Sequence, residues 1–177
     1  MIETERLILR EYNPEDFDAL YEILSDEETM AHYPKPFDAE RTRGWIQWNL
    51  QNYETYGFGL WAVTLKDTGE FIGDCGISMQ EIDGEILPEI GYHIAKAHQR
   101  RGYAKEAAQA VRDWTFARTP FGMVYSYMKQ SNLPSAAVAR ANGTTLLREF
   151  TDDEQEQTAI YGISRTDWET RNMKHGT

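Results

Sequence analysis

A single cysteine, four histidines and a deficit of positive charge bound what this 177-residue sequence can be. Cys75 stands alone, which excludes an internal disulfide and a cysteine-built zinc site. Gly73, Gly76 and Ile77 around it give a strand-like segment, so the thiol reads as a small core residue and not as a nucleophile. His32, His93, His98 and His175 lack ligand spacings such as HExxH, and no metal is expected. Lysine and arginine total 18 against 29 acidic residues, a net charge of −11. That balance argues against a nucleic-acid partner, whose phosphates have to be neutralised by basic side chains. It leaves room for a cationic partner, although an acidic surface also serves solubility alone.

Long apolar runs are missing too. None approaches the ~20 residues of a membrane span, and the opening Met1–Arg6 lacks the basic and apolar regions of a signal peptide. The expectation is a cytoplasmic protein with no membrane partner, either a monomer or a homodimer. Linkers rich in Pro, Gly or Ser, internal repeats and low-complexity tracts are absent, so residues 1–177 read as one domain.

What is present is an ordered alternation of strand and helix signals. Arg6–Arg10 is a short apolar strand, and Asn13-Pro14 starts a helix whose Phe17, Leu20, Tyr21 and Leu24 share a face. Asp38 caps a second helix, unusually aromatic, running to about Tyr56. Leu60–Leu65 and Phe71–Ile77 read as a hairpin, and Glu89–Ile94 follows the Asp83-Gly84 turn as a further strand. Ala104, Ala107, Ala108, Val111, Trp114 and Thr115 stripe one face of the next helix. A strand at Val124–Met128, a short helix at Pro134–Ala141, and strands near Thr145–Phe150 and Thr158–Ile163 complete the pattern. The class is α+β: a central, mixed, mostly antiparallel twisted sheet with helices on both faces.

The richest segment is His98-Gln99-Arg100-Arg101-Gly102-Tyr103-Ala104, a basic turn that carries a glycine and opens a helix. The first N–H groups of a helix have no intrahelical partners and sit at its positive end, so such a turn suits an anion. Gly102 lets the backbone approach a ligand closely. A Walker A loop needs Lys followed by Ser or Thr, and a dinucleotide fingerprint needs GxGxxG; neither occurs here.

Gln99-x-x-Gly102-x-Ala104 resembles the Q/R-x-x-G-x-G/A acetyl-CoA signature of the Gcn5-related N-acetyltransferases, the GNAT superfamily. Asn132-Leu133-Pro134-Ser135 is similar to the family's Asn-x-x-Ser motif, which opens the helix beside the pantetheine arm. Thr4–Arg10, Glu89–Tyr92 and Tyr161–Glu169 look like the RimJ/RimL branch, the ribosomal-protein N-terminal acetyltransferases and their relatives. The resemblance runs along essentially the whole chain. It departs at Gly143-Thr144, where members usually carry Gly-Phe, so the missing packing contact is expected elsewhere, with Leu146 a candidate. It departs again at Ala139, where many members place a proton-donating tyrosine. The RimJ/RimL branch commonly lacks that tyrosine, and its serine is then the proposed donor.

The resemblance implies an N-acetyltransferase that moves the acetyl group of acetyl-CoA to a primary amine, either a protein N-terminus or a small molecule. The alternative is a non-catalytic acyl-CoA-binding module. Cofactor contacts are expected from Gln99, Arg100, Arg101, Gly102, Tyr103 and Ala104 at the pyrophosphate, from the backbone near His93 and Ile94 at the pantetheine, and from Asn132 and Ser135. Glu89, expected at the start of its strand, is the favoured base, with His93 second. Ser135 is the favoured proton donor, with Tyr127 as an alternative. Tyr33, Trp45, Trp48 and Trp61, together with Glu81, Asp83 and Glu85, are candidates for an acceptor cleft.

Overall fold

Among residues 1–176, which the computed structural model describes, eight strands build one sheet and five α-helices flank it. The strands are β1 (Ile2–Glu3), β2 (Leu7–Arg10), β3 (Leu60–Leu65), β4 (Phe71–Ile82), β5 (Glu85–Ile94), β6 (Met123–Lys129), β7 (Thr145–Thr151) and β8 (Gln157–Ser164). The helices are α1 (Phe17–Leu24), α2 (Ala39–Tyr56), α3 (Tyr103–Arg118), α4 (Leu133–Ala141) and α5 (Arg165–His175). The sheet order is β1-β2-β3-β4-β5-β6-β8-β7, antiparallel except where β5 meets β6.

Side-chain alternation along the strands separates two apolar layers. On β3, Trp61 and Val63 join a core with Leu7, Leu9, Ile77, Val111 and Phe116, beneath α3. Ala62 between them points the other way, into a core with Leu20, Leu24, Met30 and Ile46 of the α1–α2 side. Burying each such aliphatic side chain contributes about 1.5–3 kcal/mol, which is why helices cover both faces. The elements start where their caps lie. Asn13 forms a capping box with Asp16, the Asp38 carboxylate accepts from the Arg41 N–H, and Gly57 ends α2 in the left-handed region at φ +78°.

Several elements differ from expectation. Strand β5 begins four residues early, because β4 and β5 continue their ladder to Ile82 and Glu85 across a two-residue turn. Asp83 and Gly84 both have positive φ there, as the tightest hairpins require. Glu89 therefore sits mid-strand, not at a strand end. Helix α5 was not foreshadowed: it is polar and buries no residue, and it docks through Trp168, which packs on Phe116 and donates to Asp113. Leu146 is 50% exposed and supplies no core contact. Instead Thr144 is buried in the position usually held by phenylalanine, its hydroxyl bonded to the Ala139 carbonyl.

Candidate active site

The sheet comes apart where its one parallel pair of strands should run. β5 and β6 pair at a single position, Glu89 with Tyr125. Beyond it lies a cleft of about 540 Å³, lined by residues of β5, β6, α2, α4 and the segment before α2.

Its floor is β5. The Ala95 N–H bonds to Ile72 and the His93 N–H to Asp74, so alternation turns the backbone groups of Tyr92 and Ile94 toward the gap. Of the backbone expected to meet the pantetheine near His93 and Ile94, the His93 N–H is taken by Asp74. Gln99 donates its side-chain amide to the Ile94 carbonyl, tying the following turn to the strand.

That turn carries two residues of positive φ, Arg100 at +63° and Gly102 at +82°. Gly102 caps α3 with no side-chain hydrogen bond, so the first-turn N–H groups at Tyr103, Ala104 and Lys105 are left open. The turn is braced from a distance. Arg6 donates to the Arg101 carbonyl, pairs with Glu106 at 2.7 Å and lies over the Tyr103 ring, while Thr4 donates to the same Glu106. Arg6, Thr4 and Glu106 had no role assigned from sequence. The signal was only that Thr4–Arg10 matched the family opening, and nothing local shows that it reaches residues 100 positions away.

Glu89 and Ser135 both line the cleft. Glu89 has no hydrogen-bond partner among the described residues, and burial pushes its carboxyl up to about 8. Ser135 sits in the first turn of α4, where its N–H donates to the Asn132 side chain. Its Oγ accepts from the Tyr92 hydroxyl at 3.2 Å. Tyr92 escaped the sequence reading, and burial pushes its phenol up to about 12, so it keeps its proton. Asn132 lines the cleft and spends its carbonyl oxygen on the α4 cap. Tyr127 lines the cleft as well.

The far end is aromatic. Tyr33, Phe37, Trp45 and His93 line it, and Trp48 packs against Trp45 at 5.1 Å. Trp61 belongs to the core, edge-on to Trp114, so it lines no acceptor cleft. Asp83 and Glu85 pair with Arg148 at the β4–β5 turn, and neither they nor Glu81 reach the cleft.

Comparison with known proteins identifies the fold that carries this splayed parallel pair and uncapped helix N-terminus. A family model described as acetyltransferase (GNAT) domain matches residues 6–145. The chain belongs to the GNAT acetyltransferase family. The YkkB protein of Bacillus subtilis is 38% identical over 141 residues, covering 79% of this chain and 82% of that one. The N-acetyltransferase YnaD of the same organism is 31% identical over 144 residues, covering 80% and 81%. Among solved structures, an acetyltransferase from Agrobacterium tumefaciens superposes with a TM-score of 0.80 at 33% identity, covering 92% of each chain. A RimL ribosomal-protein acetyltransferase in complex with coenzyme A shares the fold, with a TM-score of 0.76 at 20% identity over 91% of this chain and 95% of that one. This GNAT acetyltransferase has, among its described residues, no cluster of metal-ligating side chains and no helix long and apolar enough to cross a membrane.

Proposed function

We propose that the chain transfers the acetyl group of acetyl-CoA to a primary amine by direct attack, with Glu89 as base and Ser135 as proton donor. The observation that supports this reading is the pair of polar groups on the cleft wall: a carboxyl on β5 with no hydrogen-bond partner among the described residues, and a hydroxyl at the start of α4 held by Tyr92.

The residues present fit the cosubstrate that the family implies. The open N–H groups behind Gly102, with Arg100 and Arg101 beside them, suit a pyrophosphate. The backbone edge of β5 at Tyr92, which lines the cleft, suits a pantetheine amide, and Ala108 and Ala139 leave room for the arm between α3 and α4. The bound thioester supplies an activated carbonyl carbon and a sulfur leaving group.

Glu89 takes one proton from the incoming ammonium, directly or through a water, and frees the nitrogen lone pair. Its raised affinity for protons makes it a far better base than an ordinary carboxylate. The amine forms the C–N bond as the C–S bond breaks, and the nitrogen then sheds a second proton. Ser135 hands a proton to the departing sulfur, with Tyr92 holding its oxygen by donating to it. Of two protons lost by nitrogen, one ends on sulfur and one in solvent.

The test is acetyl-CoA-dependent thiol release over a panel of primary amines, with acetyl-CoA binding measured separately. Binding without release on any amine favours the alternative of a non-catalytic acyl-CoA module.

A further inference from the structure

Asp74 is fully buried and accepts four hydrogen bonds. Its Oδ2 takes the Tyr12 hydroxyl at 2.8 Å and the Trp45 indole N–H at 2.9 Å. Its Oδ1 takes the His93 backbone N–H at 3.0 Å and lies 2.8 Å from His93 Nδ1. Indole and backbone N–H groups can only donate, so the carboxylate acts as acceptor throughout and Nδ1 must carry the proton. In the neutral form of this ring the lone pair then lies on Nε2. That atom is buried and has no hydrogen-bond partner, in a residue only 7% exposed that lines the cleft. A buried polar atom left unsatisfied in this way costs stability unless a ligand meets it.

The surroundings of His93 provide no such partner from the protein. Tyr33, Trp45 and Phe37 pack around its ring at 5.2, 5.6 and 6.4 Å between centroids. The Tyr33 and Trp45 rings favour an ammonium group over their faces, while the Arg41 guanidinium already lies over the Phe37 ring at 4.0 Å. Along β5, Glu89, Gly91 and His93 share one face. Glu89 leans toward Gly91, its Oε2 3.0 Å from where a β-carbon at residue 91 would be. At ~3.3 Å of rise per residue, about 7 Å of strand separates Gly91 from His93, a span that takes one amine nitrogen with or without a water.

We infer that His93 binds the acceptor: Nε2 accepts a hydrogen bond from one N–H of a primary amine, Asp74 fixes the tautomer, and Tyr33, Phe37 and Trp45 box the group in. This rests on the acetyl-transfer reading and adds the acceptor end of the same cleft. Glu89 removes a proton from the nitrogen, while His93 holds a different N–H and orients the lone pair toward the thioester. Asp74 is a positioning residue, since it acts through His93.

Thiol release is measured with 2-phenylethylamine, spermidine and a serine-initiated tetrapeptide, and the most active amine is carried forward. In His93→Asn the shorter amide still donates to Asp74 but presents nothing at the Nε2 position. The amine KM rises about tenfold or more, as for the loss of one hydrogen bond to a charged group, and the acetyl-CoA KM is unchanged. His93→Gln, whose carbonyl oxygen reaches near the Nε2 position, recovers part of the loss. Asp74→Asn sets an amide NH2 against either the His93 N–H or the Trp45 N–H; where that amide donates to Nδ1, the imidazole ¹⁵N spectrum shows the proton on Nε2 and the amine KM rises in the same selective way. A readout needing no variant is the imidazole ¹⁵N spectrum of the wild type: Nε2 is bare without amine and shifts on adding the chosen amine. An unchanged amine KM in His93→Asn, or a protonated Nε2, overturns the inference and leaves acetyl transfer standing. Failure of the wild type to release thiol with any amine overturns acetyl transfer, and the inference with it.

Discussion

The Glu89 carboxylate lies over Gly91, its Oε2 3.0 Å from the place a β-carbon on that glycine would occupy. Two residues apart on one face of β5, the pair makes the pocket in which a carboxyl is kept from water yet open to the cleft. Gly91→Ala is therefore expected to displace the carboxylate. Amine-dependent turnover falls by about tenfold or more, on the scale at which misplacement of a catalytic group is felt, while calorimetric affinity for acetyl-CoA is unchanged.

Glu89→Gln preserves shape and removes the proposed base. Turnover is expected to fall by about 10²–10⁴-fold, the usual contribution of general acid–base catalysis. In the wild type, kcat/KM has a limb that rises with pH through about 8, because burial raises the Glu89 carboxyl and only its ionised form accepts a proton. The limb is absent from the variant's pH–rate profile.

The same carboxyl leaves a mark on stability. Its folded-state pKa is raised from 4.5 to about 8, so the folded protein holds this proton more tightly than the unfolded chain does. The stabilisation is complete below the unfolded value and is lost as pH climbs through the folded one. Thermal denaturation of Glu89→Gln is expected to give a Tm above that of the wild type at pH 9, with the gap closing toward pH 5.

Ser135→Ala and Tyr92→Phe remove the two ends of one hydrogen bond of 3.2 Å. Ser135→Ala is expected to lower kcat more than Tyr92→Phe, since in the proposed reaction the serine meets the sulfur and the tyrosine only holds the serine. The double variant is little worse than Ser135→Ala alone, as residues acting in one network are not additive.

Arg6→Ala tests the brace. Its loss frees the Arg101 carbonyl and one oxygen of the Glu106 carboxylate, loosening the turn that bears Arg100 and Gly102 in positive φ. Affinity for acetyl-CoA falls several-fold in isothermal titration, and kcat at saturation holds.

Much of this arrangement was legible because it is local. Caps at Asn13, Asp38 and Gly57 and the period of the apolar residues set the helices of the first half and most strand positions. The loop at 99–104 and the Asn132–Ser135 turn announce themselves by spacing. What stayed hidden depends on distant contact. The Arg6–Glu106 brace, the Asp74–His93 pair and the Tyr92–Ser135 bond join residues on different elements. Aromatic composition likewise does not tell cleft from core: Trp45 lines the cleft while Trp61, sixteen positions on, packs against Trp114. Helix α5 was missed because a polar helix without a buried face has no apolar period to read.

Acetyl transfer in the β5–β6 cleft, with Glu89 as its base, is the proposed reaction. Amine-dependent thiol release from acetyl-CoA, measured side by side for the wild type and Glu89→Gln at matched cosubstrate occupancy, tests it most directly. Release by the wild type is expected, with a loss of about 10²-fold or more in the variant and acetyl-CoA affinity equal in both. Equal rates of release from the two proteins, or tight acetyl-CoA binding with no amine-dependent release from either, would contradict it.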